Sequence, residues 1–307
     1  MKFDQGMISI LACAVAILTP DVTASSLQLS PAAPLRSAFV PPPSTAQPWR
    51  PRRPLRLSAL RMADTTWNDA KVLDSFPAAE GMRSLSVEVP KEVSAGFTVP
   101  GQFVQITDKS EEQKPNFFAI ASPPPPKGRK GLLEFLIKET DSIQWLTSAP
   151  LGTPIKVSNV MGKGFSITDE FDSYKYDSPV LDIAFFACGS GIAPIRSVIE
   201  SDVLRLASQE EPDLLARTAT LFYGCRSEDT MAYKERFSEW EKMGVEVRPV
   251  YSRAAQKEYV QQDLSREGVA RPRNTGVLLC GQKGMCDDVT KQLAKVGVYD
   301  SRMLTNF

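Results

Sequence analysis

Histidine is absent from all 307 residues, and this one gap removes several chemistries at once. A Ser-His-Asp triad, a histidine general base and a histidine-ligated metal are all excluded. Cysteine is sparse. Cys13, Cys188, Cys225, Cys280 and Cys286 include no closely spaced pair of the kind a zinc site uses, and the count fits a reducing compartment better than a disulfide scaffold. Long apolar runs are missing too, since the stretch within residues 7–19 is too short to span a bilayer comfortably. A basic excess is lacking where it would matter. The formal net charge is zero, yet residues 1–62 carry seven Lys/Arg against two Asp, so the remainder holds a net charge of −5 and has no general basic face for nucleic acid.

What remains suits two soluble domains: 42% hydrophobic and 23% charged residues over a length that can bury two cores. The most informative stretch is Gly-Ser-Gly-Ile-Ala-Pro at residues 189–194. It follows a hydrophobic run at 180–187 and precedes a helix-like segment from Ile195. Glycine lets the backbone bend and approach a ligand closely, while a helix N-terminus offers free N–H groups to phosphate. Gly189, Ser190 and Gly191 are therefore candidates for holding a nucleotide.

Acidic residues vanish between Val22 and Ala63, where Ser, Pro, Ala and Arg dominate. Residues 1–24 read as a signal peptide and 25–62 as a disordered plastid transit peptide. Residues 37–41 (Ser-Ala-Phe-Val-Pro) resemble the Ala-Phe-x-Pro motif of presequences for algal secondary plastids, although cleavage after Ala38 would place Arg36 at the −3 position. The expected location is the plastid stroma. A Pro-rich leader without targeting function is the alternative.

Beyond the leader, short β-rich stretches at 85–89, 101–106, 132–138 and 154–157 predict a small antiparallel barrel over 66–172. The pattern then changes. Strands at 180–187, 219–223, 245–251 and 277–280 alternate with helices at 195–207, 233–242 and 287–296, which predicts a parallel-sheet, Rossmann-like α/β domain over 178–307.

A barrel before a nucleotide domain, with Pro-Gly-Gln-Phe-Val at 100–104, Asn-Phe-Phe-Ala-Ile-Ala-Ser at 116–122, Met-Gly-Lys-Gly-Phe at 161–165, the turn at 189–194, Tyr-Gly-Cys-Arg at 223–226 and Cys-Gly-Gln-Lys-Gly-Met at 280–285, resembles the ferredoxin–NADP reductase superfamily. Within it, the segment from Lys114 and the final Asn-Phe look closest to plant plastid oxidoreductases of the kiwi-fruit type. The resemblance implies FAD against an FR-type barrel and a nicotinamide nucleotide on the second domain. The usual flavin signature Arg-x-Tyr-Ser reads here Asn116, Phe118 and Ala119. Phe118 is expected to stack on the ring, but the arginine charge and serine hydroxyl are gone, at a cost of about 1.5–3 kcal/mol for the lost charge-assisted bond. Ile137 and Lys138 match the strand that meets the flavin phosphate and ribose, with Lys138 a partial substitute for the arginine. In the phosphate turn at 141–145 only Ser142 can donate.

On the nucleotide side, Ser252, Arg253, Lys257, Tyr259 and Gln261 resemble the set that holds a 2′-phosphate and stacks adenine, which implies NADP(H) over NAD(H). Ile192, Pro194, Gly281 and Met285 complete the matched nucleotide motifs. Cys280 matches a cysteine beside the nicotinamide, and Phe307 a terminal aromatic over the flavin. The implied activity is hydride passage between NADP(H) and FAD, with electrons going to or from a partner. Ferredoxin, being acidic, gains no support from the −5 charge. The competing reading is a non-catalytic binding or assembly subunit on the same fold. A diaphorase acting on small quinones or metal complexes shares all these motifs.

Overall fold

The chain is described by a computed structural model over residues 65–173, 175–207, 216–253 and 258–306, all within the compact unit Leu57–Phe307. The leader expected at 1–62, together with Lys257 and Phe307, lies outside the described residues. In chain order the first half comprises β1 (Trp67–Ala79), β2 (Met82–Glu88), α1 (Lys91–Ala95), β3 (Phe103–Asp108), β4 (Asn116–Ala119), β5 (Leu132–Lys138), α2 (Gln144–Thr147), β6 (Pro154–Ser158) and α3 (Ile167–Phe171). The second comprises β7 (Asp182–Cys188), α4 (Ile192–Ile199), β8 (Thr218–Cys225), α5 (Phe237–Lys242), β9 (Val245–Tyr251), α6 (Val260–Glu267), β10 (Thr275–Cys280), α7 (Lys283–Val296) and β11 (Met303–Thr305).

Six antiparallel strands form the first sheet in the order β4-β3-β6-β1-β2-β5. A bridge between Ile120 and Phe135 joins its two ends into a barrel, and Ala121 N–H adds a bond to Glu134 O at 2.7 Å. Alternation in each strand turns one set of side chains inward. Val72, Leu85, Val87, Val104, Ile106, Phe118, Leu133, Phe135, Ile137, Ile155 and Val157 make that core. Strand β1 escapes sequence reading because only Val72 of its thirteen residues is buried, so its polar pattern carries no period of two.

The second sheet is parallel, in the order β11-β10-β7-β8-β9. The chain runs outward from β7 to β9, then returns to the far side of β7 for β10 and β11, so the order reverses between β7 and β10. Ligand crevices form outside strand C-termini at such a reversal. Helices α4 and α5 cover one face through Ile195, Val198 and Trp240, while α6 and α7 cover the other through Val260, Leu264, Val289 and Leu293. Met82, Ala121 and Leu136 of the barrel join the first of these clusters, so the two sheets share one apolar seam.

The helix expected at 195–207 is shorter and starts earlier. It stops at Ile199, because Asp202 and Arg205 take left-handed backbone angles that turn the chain into a bridge between Leu206 and Arg217. The expected helix at 233–242 opens as a tight 3-10 turn over Lys234–Arg236 and becomes α-helical only from Phe237. Helix α6 was not foreseen, and only its spaced apolar pair, Val260 and Leu264, signals it.

Phe186 and Phe222 stack in parallel on neighbouring strands at 4.9 Å between ring centres, both buried. Replacing Phe186 by Ala removes the ring and leaves a cavity at the centre of the parallel sheet. The expected loss is about 3–5 kcal/mol, read as a lower urea midpoint at unchanged slope.

Candidate nucleotide and flavin site

The chain leaves β7 at Cys188 and makes a 3-10 turn over Gly189–Gly191 before entering α4. Gly189 has a φ of +54°, a conformation that glycine adopts without strain. Gly191 is required for a different reason. A side chain there would begin 2.2 Å from the Cys280 carbonyl oxygen, so the turn lies directly on the backbone end of β10. Gly281 has the mirror role, since a Cβ on it would sit 2.4 Å from Cys188 Sγ. Two loops thus touch backbone to backbone at the strand-order reversal.

Hydrogen bonds hold this arrangement. Gln282 N–H donates to Cys188 Sγ at 3.1 Å, Tyr223 Oη donates to Gly189 O at 3.2 Å, and Ala232 N–H donates to Tyr223 Oη at 3.3 Å. Tyr223 is fully buried, and burial raises its pKa well above the ordinary phenol value, so it stays a neutral donor. The turn satisfies the Ile192 N–H internally, against Gly189 O and Ser190 O, and Pro194, in the first turn of α4, lacks an N–H by nature. The Ile192 and Pro194 side chains are buried, so both residues shape the turn and neither presents a side chain to a ligand.

All four cysteines among the described residues lie at or near this edge, and all are free thiols. Burial pushes Cys280 up to about 12 and Cys225 and Cys286 each to about 11. Cys188, the most accessible of them, is also raised by burial, against a lowering bond from Gln282 N–H. Cys280 closes β10 with its side chain in the core, and Met285 is likewise buried, its methyl lying against Gly281. The crevice floor is therefore neutral sulfur and backbone. No group of three or more His, Cys, Asp or Glu residues able to hold a metal occurs among the described residues.

At the neighbouring strand ends, Ser252 N–H bonds Cys225 O at 2.9 Å and Arg253 N–H bonds Arg226 O at 2.8 Å. Arg253 is thereby brought beside Arg226, both exposed at one edge of the crevice. Arg226 escaped sequence selection as a binding residue, because nothing in the Tyr-Gly-Cys-Arg motif shows that β8 and β9 end in register. Tyr259 is 40% exposed just before α6, and Gln261 is half-buried in its first turn.

In the barrel, β4 and β5 are bridged at Ile120 and Phe135, and no ladder among the described residues continues between 116–119 and 136–138. The unpaired gap between these strand ends is the candidate cleft. The expectation that Phe118 presents its ring to it is not met: Phe118 pairs across from Val104, points into the barrel and meets Phe135 edge-on at 6.4 Å. Strand alternation sends Phe117 outward instead, 58% exposed and edge-on to Phe103 at 5.6 Å. Ile137 is likewise corrected, its side chain being in the core so that only its backbone can line the cleft. Ala119 follows Phe117 on the outer side, and Asn116 donates to the Lys114 carbonyl at 2.9 Å. Lys138 is exposed at the end of β5, and Ser142 sits in an exposed 3-10 turn against Thr140 at 3.2 Å. The buried amide oxygen of Gln105, on the strand paired with β4, has no partner and marks a polar point beside Phe117.

The family described as oxidoreductase NAD-binding domain matches residues 185–291. Fruit protein pKIWI502 of Actinidia deliciosa is 29% identical over 265 residues, covering 81% of this chain and 80% of that protein. A self-sufficient cytochrome P450 monooxygenase of Phanerodontia chrysosporium is 39% identical over 90 residues, 27% of this chain but only 8% of that much longer protein. Among solved structures, a ferredoxin NADP+ reductase of Neisseria gonorrhoeae with bound FAD and NADP superposes with a TM-score of 0.62 at 18% identity, over 78% of this chain and 99% of that one.

Two outcomes test the site. At pH 8 a thiol with a pKa near 11 or 12 is ionised to about one part in a thousand or less, so the raised values protect Cys225, Cys280 and Cys286. Iodoacetamide followed by peptide mapping is expected to label Cys188 before these three, and all four together in urea. Separately, Phe118→Ala is expected to lower the unfolding free energy measured in urea by about 3 kcal/mol or more, while Phe117→Ala changes it by less than about 1 kcal/mol.

Proposed function

We propose that this chain, which belongs to the ferredoxin–NADP reductase superfamily, is a flavoprotein oxidoreductase that exchanges a hydride between NADP(H) and FAD. The observation that carries this reading is the crevice itself: two glycines that exclude a Cβ, beside a helix N-terminus, on the same unit as a barrel cleft edged by an outward aromatic ring. Bound FAD would supply the two-electron chemistry that a chain without histidine cannot supply from side chains.

Each residue then has a defined task. Gly189, Ser190 and Gly191, at the N-terminal end of α4, take the pyrophosphate. Arg226 and Arg253 take the 2′-phosphate, with Ser252 adding a hydroxyl and Tyr259 a ring face for adenine. Gly281 and the neutral thiols of Cys188 and Cys280 leave room for a flat ring and place no charge against it. On the barrel side, Phe117 offers its face to the flavin, and Asn116, Lys138 and Ser142 stand where its phosphates and ribose would lie. The missing arginine makes this the weaker of the two grips. The electron partner is left open by the residues, and small acceptors fit as well as a protein. Plastid import by residues 1–62 belongs to the same proposal, tested by the location of a fluorescent fusion.

Purified protein is expected to show flavin absorbance that bleaches on adding NADPH. Colourless protein that takes up no FAD would favour the non-catalytic binding subunit. Arg253→Ala is expected to raise the KM for NADPH about 10- to 100-fold, the worth of one charge-assisted phosphate contact, and to leave NADH kinetics nearly unchanged. Equal losses with both nucleotides would remove the 2′-phosphate assignment.

A further inference from the structure

Helix α4 does more than begin at the phosphate turn. Arg196, one turn in, is only 4% exposed. Its Nε bonds both carboxylate oxygens of Glu200 at 3.1 Å, its face lies 5.0 Å from the Tyr233 ring centre, and its Nη2 reaches Glu134 Oε2 of β5 at 2.5 Å. The next residue, Ser197, donates its hydroxyl to the Ser122 carbonyl at 2.8 Å, just past β4. Ser122 Oγ in turn accepts Glu134 N–H at 3.3 Å, and Glu134 O accepts Ala121 N–H at 2.7 Å. Adjacent residues of one helix therefore grip both strands of the barrel cleft, at the point where those strands are bridged. Glu134 is the node, with backbone bonds to one strand and a side-chain bond to the helix. The free lip, Leu136–Lys138, begins two residues farther on.

We infer that Arg196 and Glu134 are positioning residues that set the distance between the nucleotide crevice and the flavin cleft, and so the rate of hydride transfer. The inference rests on the flavin and nucleotide reading above. Neither residue belongs to the glycine turn or to the strand end at 136–138. Their bond joins the helix that starts at the phosphate turn to the strand that ends at the cleft, and Glu200 orients the guanidinium while itself held by Arg236 at 3.2 Å and Trp240 Nε1 at 3.2 Å. With three anchors on one cation, rotation of one domain against the other must break a part-buried charge-assisted bond. Hydride transfer is steep in distance, and a misplacement of about 1 Å can cost about a hundredfold.

The test uses the full chain with FAD bound. Glu134→Ala is expected to keep FAD content and NADP+ affinity within about twofold, to slow flavin reduction by NADPH in stopped flow by about tenfold or more, and to weaken the long-wavelength charge-transfer absorbance on mixing reduced protein with NADP+. Glu134→Gln, which keeps an oxygen for Arg196, is expected to recover most of the rate. Should Glu134→Ala fail to fold, Arg196→Lys carries the same measurements, retaining the charge but not the fork. Wild-type rate and absorbance in these variants would overturn the inference, as would a rate loss that only follows lost FAD. If the wild-type protein takes up no flavin, the underlying reading itself has failed, and this one with it.

Discussion

The constraint on which the nucleotide crevice depends is the backbone contact between the turn after β7 and the end of β10. Nothing larger than hydrogen fits at Gly191 or Gly281: the first lies on the Cys280 carbonyl and the second on the Cys188 sulfur. Much else is arranged around that contact. The parallel order brings β7 and β10 together, Tyr223 and Cys188 bond the turn and the following loop in place, and α4 begins directly after the turn. The site is thus preformed by the fold and does not depend on charged side chains for its shape.

The candidate cleft of the barrel lies where one pair of strands is bridged and is then left unpaired. A continuous ladder would have satisfied the backbone and closed the space. The single bridge at Ile120 and Phe135 is backed by the packing of Phe118 on Phe135, which explains why an aromatic that looked available in the sequence is spent on the core. Phe117, whose ring has no place inside, is the aromatic left for the cleft. The erosion of the flavin signature at Asn116 and Ala119 leaves a site that relies on ring contact and backbone more than on charge.

Between the two lies α4, whose first turn belongs to the nucleotide site and whose second is bound to the barrel. Burial of Arg196 would be costly without partners, and here it has two carboxylates and a ring. Glu200 is shared by Arg196, Arg236 and Trp240, so the helix, the 3-10 turn at Lys234–Arg236 and α5 form one connected polar group beside the apolar seam. A network so tied specifies one relative placement of the two sheets more sharply than apolar contact alone, which tolerates sliding.

By itself the sequence determined the architecture and the glycine turn, because both rest on local signals: runs of strand period, the change to strand–helix alternation after residue 178, and glycines where a backbone must bend. It also excluded histidine chemistry outright. Only the tertiary structure decided which aromatic faces the cleft, since one step along a strand reverses the side and nothing within residues 116–119 reveals which face is inward. Only it brought Arg226 beside Arg253, because β8 pairs with β9 in a register of residues 26 positions apart, which carries Arg253 N–H onto Arg226 O. And only it showed that Arg196, one residue of a matched helix, holds an acid 62 positions earlier in the barrel. Long-range pairings such as these depend on how whole elements come together, and no window of local sequence contains them.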